Sequence, residues 1–308
     1  MGPVLSWKRR WLGFEIPAMT ADGEDLNALR REVDRVDDAI HDLLMQRTEL
    51  IQRIGASAPD AADKGAGAAA LAPGREATVI RRLLARHGGD FPREVLVRLW
   101  REVISALTRL RGTFTVAVFM PERGGAPYLE IARDQYGSYT ETLTYQTTGR
   151  VLKALAEGKA SVAVLPLPGE GGAEPWWPAL IGDASPRVQV VARLPFGGPG
   201  RGRGDGAEAL AVAAVAPEPT GMDRTLLAVE TLSEISRNQA AAKLTNAGLP
   251  PVAYWDMRPF APDARVHLVE IEGFVLDSDP RIVRLAHGND ETVRDARCIG
   301  TYPVPCHP

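Results

Sequence analysis

Cysteine is almost missing from this chain. Its 308 residues hold two, Cys298 and Cys306, both in a proline-containing tail, so neither a disulfide framework nor a zinc site can be assembled from them. Long apolar runs are missing too: stretches such as ALAVAAVA, from Ala209 to Ala216, fall far short of the roughly 20 residues a bilayer-spanning helix needs. No charge sign dominates either, and a net charge of -3 gives no electrostatic footprint for nucleic acid. The opening MGPVLSWKRRWLGFEIPAMTADGED has a basic pair with no apolar core after it, so it is not read as a signal peptide, and Met19 is an alternative initiator. What is present, 45% apolar and 24% charged residues, is the composition of a soluble globular protein with room for two or three small domains. The cytoplasm is the expected compartment, with no membrane or nucleic-acid partner.

Three helical segments come first. Asp25 can cap a helix running to about Ile54, which Gly55 ends, and an Ala/Gly-rich loop follows to Gly74. A second helix is predicted from Arg75 to Arg86, stopped by HGGD, and a third from Pro92 to Arg111, ended by Gly112. The first is too long to bury its apolar stripe against two short partners, which favours an intertwined homodimer.

From Thr113 the periodicity changes. FTVAVF reads as a strand, TTGRVLKALAEGKA as a helix, and SVAVLPLP and RVQVVARLPF as strands, together a small α/β unit. GGPGRGRGDG is a linker rather than a phosphate loop, because no helix opens behind it with a Lys-Ser/Thr pair. Beyond it TLLAVET, SEISRNQAAAKLTNAG, VAYWDMRP and ARVHLVEIEG give a strand, a helix and two strands, a second α/β unit. The expected class is therefore α plus α/β, multidomain. Its divisions are an extension over 1–22, a helical domain over 23–112, an α/β lobe over 113–196, a linker over 197–207, a second unit over 208–278, and a polar, loosely ordered tail over 279–308. His267 and Glu270, on one candidate strand, read as ordinary surface or edge residues, and Trp176 and Trp177 as a loop anchor over a small core.

One position in the first helix breaks its pattern. Apolar residues step by three and four through Leu26, Leu29, Val33, Val36, Ile40, Leu43, Leu50 and Ile54, and the missing step falls on Arg47. Arg30 flanks the same stripe. In the second helix Glu76 precedes Val79, Ile80 and Leu83 at helical spacing, so an acid faces inward there beside Arg75. A buried cation is matched either by a carboxylate of the protein or by a ligand. Arg47 and Glu76 can form an ion pair, the arginines can snorkel to the edge, or the group can hold an anionic ligand.

The segments LNALRREVDRVDDAIHDLLMQRTELIQRIG, PGREATVIRRLL and LVRLWREVISALTRLRG, with the motifs LxxLRxxxDxxDxxLxxLLxxR and GRE, closely resemble the all-helical chorismate mutase family from about Leu26 to Gly112. The resemblance implies a site built in a helical dimer, where arginines bind the two carboxylates of chorismate and a glutamate accepts from its hydroxyl. By position these are Arg30, reaching across from the partner chain, Arg47, Arg75 and Glu76. The implied reaction, chorismate to prephenate, is unimolecular and needs no cofactor. Catalysis reduces to holding a compact dianion and stabilising charge on the ether oxygen, and planar arginines suit the first task. The sequence departs from the family pattern. A lysine that contacts the ether oxygen is Ala58, the aspartate before GRE is Ala72, a serine on the third helix is Leu107, and a glutamine one turn later is Arg111. Loss of one such donor typically costs about 3 to 4 kcal/mol, or roughly 10² to 10³ in rate. Arg111 is the candidate replacement cation, Lys64 a weaker one, and the alternative function is a dianion-binding or regulatory protein that has lost turnover.

Further on, MPERGGAPYLEIARDQYG and RVLKALAEGKASVAVLPLP resemble the opening of prephenate dehydratase domains. The stretch from DRTLLAVET to RPFAPDARVHLVEIEGF is similar to the ACT domain that follows those dehydratases, with WDMRP near the place of their ESRP motif. The dehydratase's Thr-Arg-Phe motif and the ACT Gly-Ala-Leu motif are absent, so a degenerate lobe without dehydratase activity is expected.

Overall fold

The computed structural model describes residues 26–57, 71–123, 126–169, 174–182, 187–198, 206–288 and 290–306. The expected extension over 1–22, with Met19, and the positions Ala58 and Lys64 lie outside these, as does most of the glycine-rich linker. The chain divides into two bodies, one up to Arg53 and one from Ile54 onward.

The described residues of the first body belong to the long helix α1, Leu26–Ala56, whose last three residues pass the division and of whose 31 residues none is buried. Its stripe residues Val33, Val36, Ile40, Leu43 and Leu50 are all exposed. Such a helix gains most of its stability from burying its apolar face, and within one chain that face stays open.

The second body opens with two helices and goes on into alternating strands and helices. Helix α2, Pro73–Arg86, opens on a proline suited to the first helical turn, and α3 runs Arg93–Arg109. Ala77, Ile80 and Leu84 of α2 meet Val97 of α3 and Phe196 in a small core of their own. The alternation of strands and helices continues as β1 (Thr115–Phe119), α4 (Ala126–Tyr136), β2 (Glu141–Tyr145), α5 (Thr148–Ala156), β3 (Val162–Pro166), β4 (Gln189–Leu194) and β5 (Ala209–Ala213). The last part of the chain is β6 (Asp223–Leu232), α6 (Arg237–Asn246), β7 (Pro251–Ala261), β8 (Ala264–Glu272), α7 (Pro280–His287) and β9 (Val293–Pro303).

The two α/β units expected from the sequence share one nine-stranded sheet, in the order β2-β1-β3-β5-β4-β9-β6-β8-β7. Strand β1 is parallel to β2 and β3, β5 runs antiparallel between β3 and β4, and β9, β6, β8 and β7 are mutually antiparallel. The halves meet where Val190 of β4 pairs with Gly300 of β9. A Cβ at Gly300 would stand 2.3 Å from the Val190 carbonyl oxygen, so only glycine lets the two backbones approach this closely.

Two expectations are corrected here. The described residues of 279–308 are not a loosely ordered tail. They form α7, capped by Asp279, and β9, a central strand whose Val293, Ala296, Cys298 and Ile299 are buried between charged neighbours. Strand β5 belongs not to the second unit but to the first, because its continuously buried ALAVA fills the space between β3 and β4. The tryptophan pair is an anchor as read. Trp176 and Trp177 are buried in the main core, donating to the Pro166 carbonyl at 3.0 Å and to Asp256 Oδ2 at 3.0 Å.

Candidate functional site

Helix α2 places Glu76 inward, in its first turn, one residue before the buried Ala77. The helix sits close against the segment after β5: a Cβ at Gly74 would stand 3.0 Å from the Glu218 carbonyl oxygen. Arg81, one turn beyond Ala77, donates to the Thr220 hydroxyl at 2.8 Å and to the carbonyls of Met222 (3.0 Å) and Val304 (2.6 Å). The helix carrying Glu76 is thereby tied to the segments just before β6 and just after β9, two neighbouring strands.

Glu76 is 8% exposed and its partner is Arg101 of α3, 3% exposed, whose Nη1 donates to Oε2 at 2.8 Å. Neither ion could stay in the interior without the other, since an unpaired buried charge costs several kcal/mol. The Arg101 Cζ lies 4.8 Å from the centre of the Phe196 ring, and its Nε has no hydrogen-bond partner among the described residues. Burial pulls the Arg101 pKa down and Glu76 pulls it back up; an arginine remains charged through either influence. Burial, and after it the Glu76 carboxylate, pushes the Tyr136 phenol up, so it stays neutral beside the pair. Arg101, Val97 and Phe196 also line a cavity of about 500 Å³, together with Ile131 and Gln135.

The other predicted site residues are distributed as follows. Arg75 is exposed beside Glu76, and Arg111, partly exposed just beyond α3, donates its backbone N–H to the Thr108 carbonyl at 3.1 Å. Neither bonds Glu76 among the described residues. Leu107 is buried and apolar, and Ala72 precedes α2 without a side-chain cap. In the first body Arg30 is exposed. Arg47 is half-buried, its Nη1 a buried donor with no partner among the described residues, and desolvation lowers its pKa. Glu76 thus has a partner within its own body, Arg101, that the sequence reading did not consider. Arg101 was missed although it carries the signal that singled out Arg47: a charge in a buried stripe, between Val97 and Ser105.

His267 and Glu270 of β8 are not surface or edge residues; they are 0% and 4% exposed. Strand β8 has neighbours on both sides, and each polar group meets a matched partner. His267 Nε2 pairs with the Thr231 hydroxyl at 2.9 Å and Nδ1 with the Tyr254 hydroxyl. Glu270 accepts from Tyr302 at 2.6 Å and from Trp255 Nε1 at 3.1 Å. Burial, aided by Arg265 and Arg237, lowers the His267 pKa to about 4, so the ring is neutral near pH 7. Among the described residues no three His, Cys, Asp or Glu side chains converge as a metal site, and no helix is long and apolar enough to cross a membrane.

Residues 29–111 match the family model of chorismate mutase type II. Over 103 residues, 32% of this chain, the sequence is 36% identical to a bifunctional chorismate mutase/prephenate dehydratase of Aquifex aeolicus, covering 27% of that protein. Over 147 residues, 48% of this chain, it is 25% identical to a protein of the same description from Pseudomonas aeruginosa, covering 40% of it. The chain thus spans well under two thirds of the length of these curated relatives. A prephenate dehydratase from Streptococcus mutans aligns in structure over 63% of this chain and 99% of that one, with 15% identity and a TM-score of 0.43. The match to the chorismate mutase type II model falls on the helical segment, which a large mixed α/β sheet follows.

Proposed function

We propose that the chain is a homodimeric chorismate mutase, an isomerase that rearranges chorismate to prephenate in phenylalanine and tyrosine biosynthesis in the cytoplasm. The observation that carries this reading is the family match over residues 29–111, and the resemblance assigns the family's ligand-binding roles to Arg30, Arg47, Arg75 and Glu76. Arg47 and Arg75, with Arg30 from the partner chain, bind the two carboxylates of chorismate. Glu76 accepts from its hydroxyl, and Arg111 stabilises the charge that develops on the ether oxygen as the C–O bond lengthens. No proton is transferred and no nucleophile attacks, so fixed geometry and fixed charge suffice. The exposed stripe of α1 supports the dimer: an open apolar face of this length is covered when a second copy supplies its own.

The replaced positions support a second reading, a binding or regulatory protein that keeps the dianion pocket and has lost turnover. Leu107, buried and apolar, cannot donate where the family has a serine. The sheet-bearing half is read as a dehydratase-derived lobe and an ACT-like unit without dehydratase turnover. Titration of the purified chain with a bicyclic dicarboxylate analogue of the rearranging conformer, beside a chorismate assay, tests both readings. Binding with turnover supports the enzyme and binding alone supports the regulator. Absence of both removes the dianion site from the account.

A further inference from the structure

We infer that Arg101 is a positioning residue for Glu76, and that Phe196, at the end of β4, holds Arg101 in place. This inference rests on the proposed role of Glu76 as acceptor of the substrate hydroxyl.

The geometry is a chain of contacts running from the sheet to the carboxylate. Phe196 lies two residues beyond the end of β4, and its carbonyl accepts the Cys306 backbone N–H at 2.9 Å, so the segments after β4 and β9 fix one another. A Cβ at Gly197 would stand 2.6 Å from Val97 Cγ1, so glycine there lets the Phe196 segment pack directly on α3. The buried Phe196 ring lies under the Arg101 guanidinium, with the Cζ 4.8 Å from its centre. Arg101 in turn donates through Nη1 to Glu76 Oε2 at 2.8 Å. Oε1 accepts no hydrogen bond among the described residues, which leaves an ionised oxygen in a fixed orientation. An acceptor for a substrate hydroxyl needs those two properties.

The groups facing Glu76 assign the cation. Arg101 reaches it from α3. Tyr136 faces it from α4 as a neutral phenol. The Cys306 thiol lies beyond Arg101, pushed up by burial, with Arg81 and Arg93 near it. Arg81 on Glu76's own helix is engaged with Thr220, Met222 and Val304, and Arg75 is exposed. Without Arg101 the carboxylate would stand desolvated beside a neutral phenol with no cation to fix its orientation toward the substrate hydroxyl.

The test is kcat and KM for chorismate in the full chain, with folding checked by melting temperature. Arg101→Met is expected to lower kcat/KM by about 10- to 100-fold, the worth of a charged hydrogen-bonded contact. Arg101→Lys restores most of it. In a Glu76→Gln background Arg101→Met adds little further loss, because the group it positions is gone. Should Arg101→Met fail to fold, Phe196→Leu carries the test. It keeps the ion pair, removes the ring beneath it, and is expected to lower kcat/KM by a smaller factor that likewise vanishes in the Glu76→Gln background. A folded Arg101→Met with unchanged kcat/KM overturns the inference alone, as does an equal loss in the Glu76→Gln background. A wild type that neither turns over chorismate nor binds the dicarboxylate analogue overturns the underlying reading instead.

Discussion

Ile40→Glu is expected to leave the single chain folded and to take the dimer apart. Ile40 is 53% exposed on α1 in one chain, so glutamate there meets water, and it is a better helix former than isoleucine. In a dimer that covers the stripe, the variant loses the unrealised half of the isoleucine's burial, about 1 kcal/mol. It also forces a carboxylate against an apolar surface, a penalty of several kcal/mol before relaxation. Allowing for relaxation leaves about 2 to 3 kcal/mol per chain. Twofold symmetry repeats the lesion, so the total is about 5 kcal/mol, or roughly 10³ to 10⁴ in the dissociation constant. Light scattering and sedimentation equilibrium over a concentration series read this directly, and helix content by circular dichroism checks the fold. Turnover should fall with dimer population, since Arg30 is proposed to act across the interface. A wild type that stays monomeric at high micromolar concentration refutes the reasoning, as does a variant that dimerises as tightly as the wild type.

Arg47→Leu restores the apolar stripe and removes a buried donor without a partner. The melting temperature should hold or rise, while affinity for the dicarboxylate analogue falls by about 10- to 100-fold, the worth of a charged hydrogen-bonded contact; an unfolded variant contradicts this. Arg111→Ala should abolish turnover, Arg111→Gln should retain at most a small fraction, and Lys64→Ala should be nearly silent. An active enzyme indifferent to Arg111→Ala contradicts the proposed transfer of the family's cation to this position. His267 makes stability depend on pH. Its folded pKa, about 4, lies below the ordinary value near 6.5, so its contribution is present above pH 6.5 and is lost as pH falls toward 4. Between pH 6.5 and 5 the wild type should lose about 1.5 kcal/mol more than His267→Gln, measured by denaturant unfolding; parallel losses in the two proteins contradict a buried neutral histidine.

The helices were legible because three-and-four spacing, Pro92 and the glycines after each segment agree with one another. The class, α plus α/β, was legible for the same reason, and so was the inward face of Glu76. Long-range pairing was not. Nothing in ALAVA says that it lies antiparallel between β3 and β4, and its place in the chain suggested the wrong half. In β9 the sequence RDAR surrounds buried residues with charge, so a central strand read as a polar tail. His267 and Glu270 resemble edge residues until Tyr254 and Trp255 meet them from the neighbouring β7 and Thr231 and Tyr302 from strands more than thirty residues away. Arg101 was within reach of the argument applied to Arg47. Its partner lies 25 residues away on another helix, and helical spacing alone does not reveal such a pairing.

The most direct test of the central claim is conversion of chorismate by the purified full chain, followed as loss of chorismate absorbance with prephenate identified chemically, beside Glu76→Gln and Arg47→Leu prepared the same way. The account predicts saturable prephenate formation by the wild type that falls by at least about 10²-fold in both variants. Formation at the uncatalysed rate by the wild type, or the same rate in all three proteins, would contradict it.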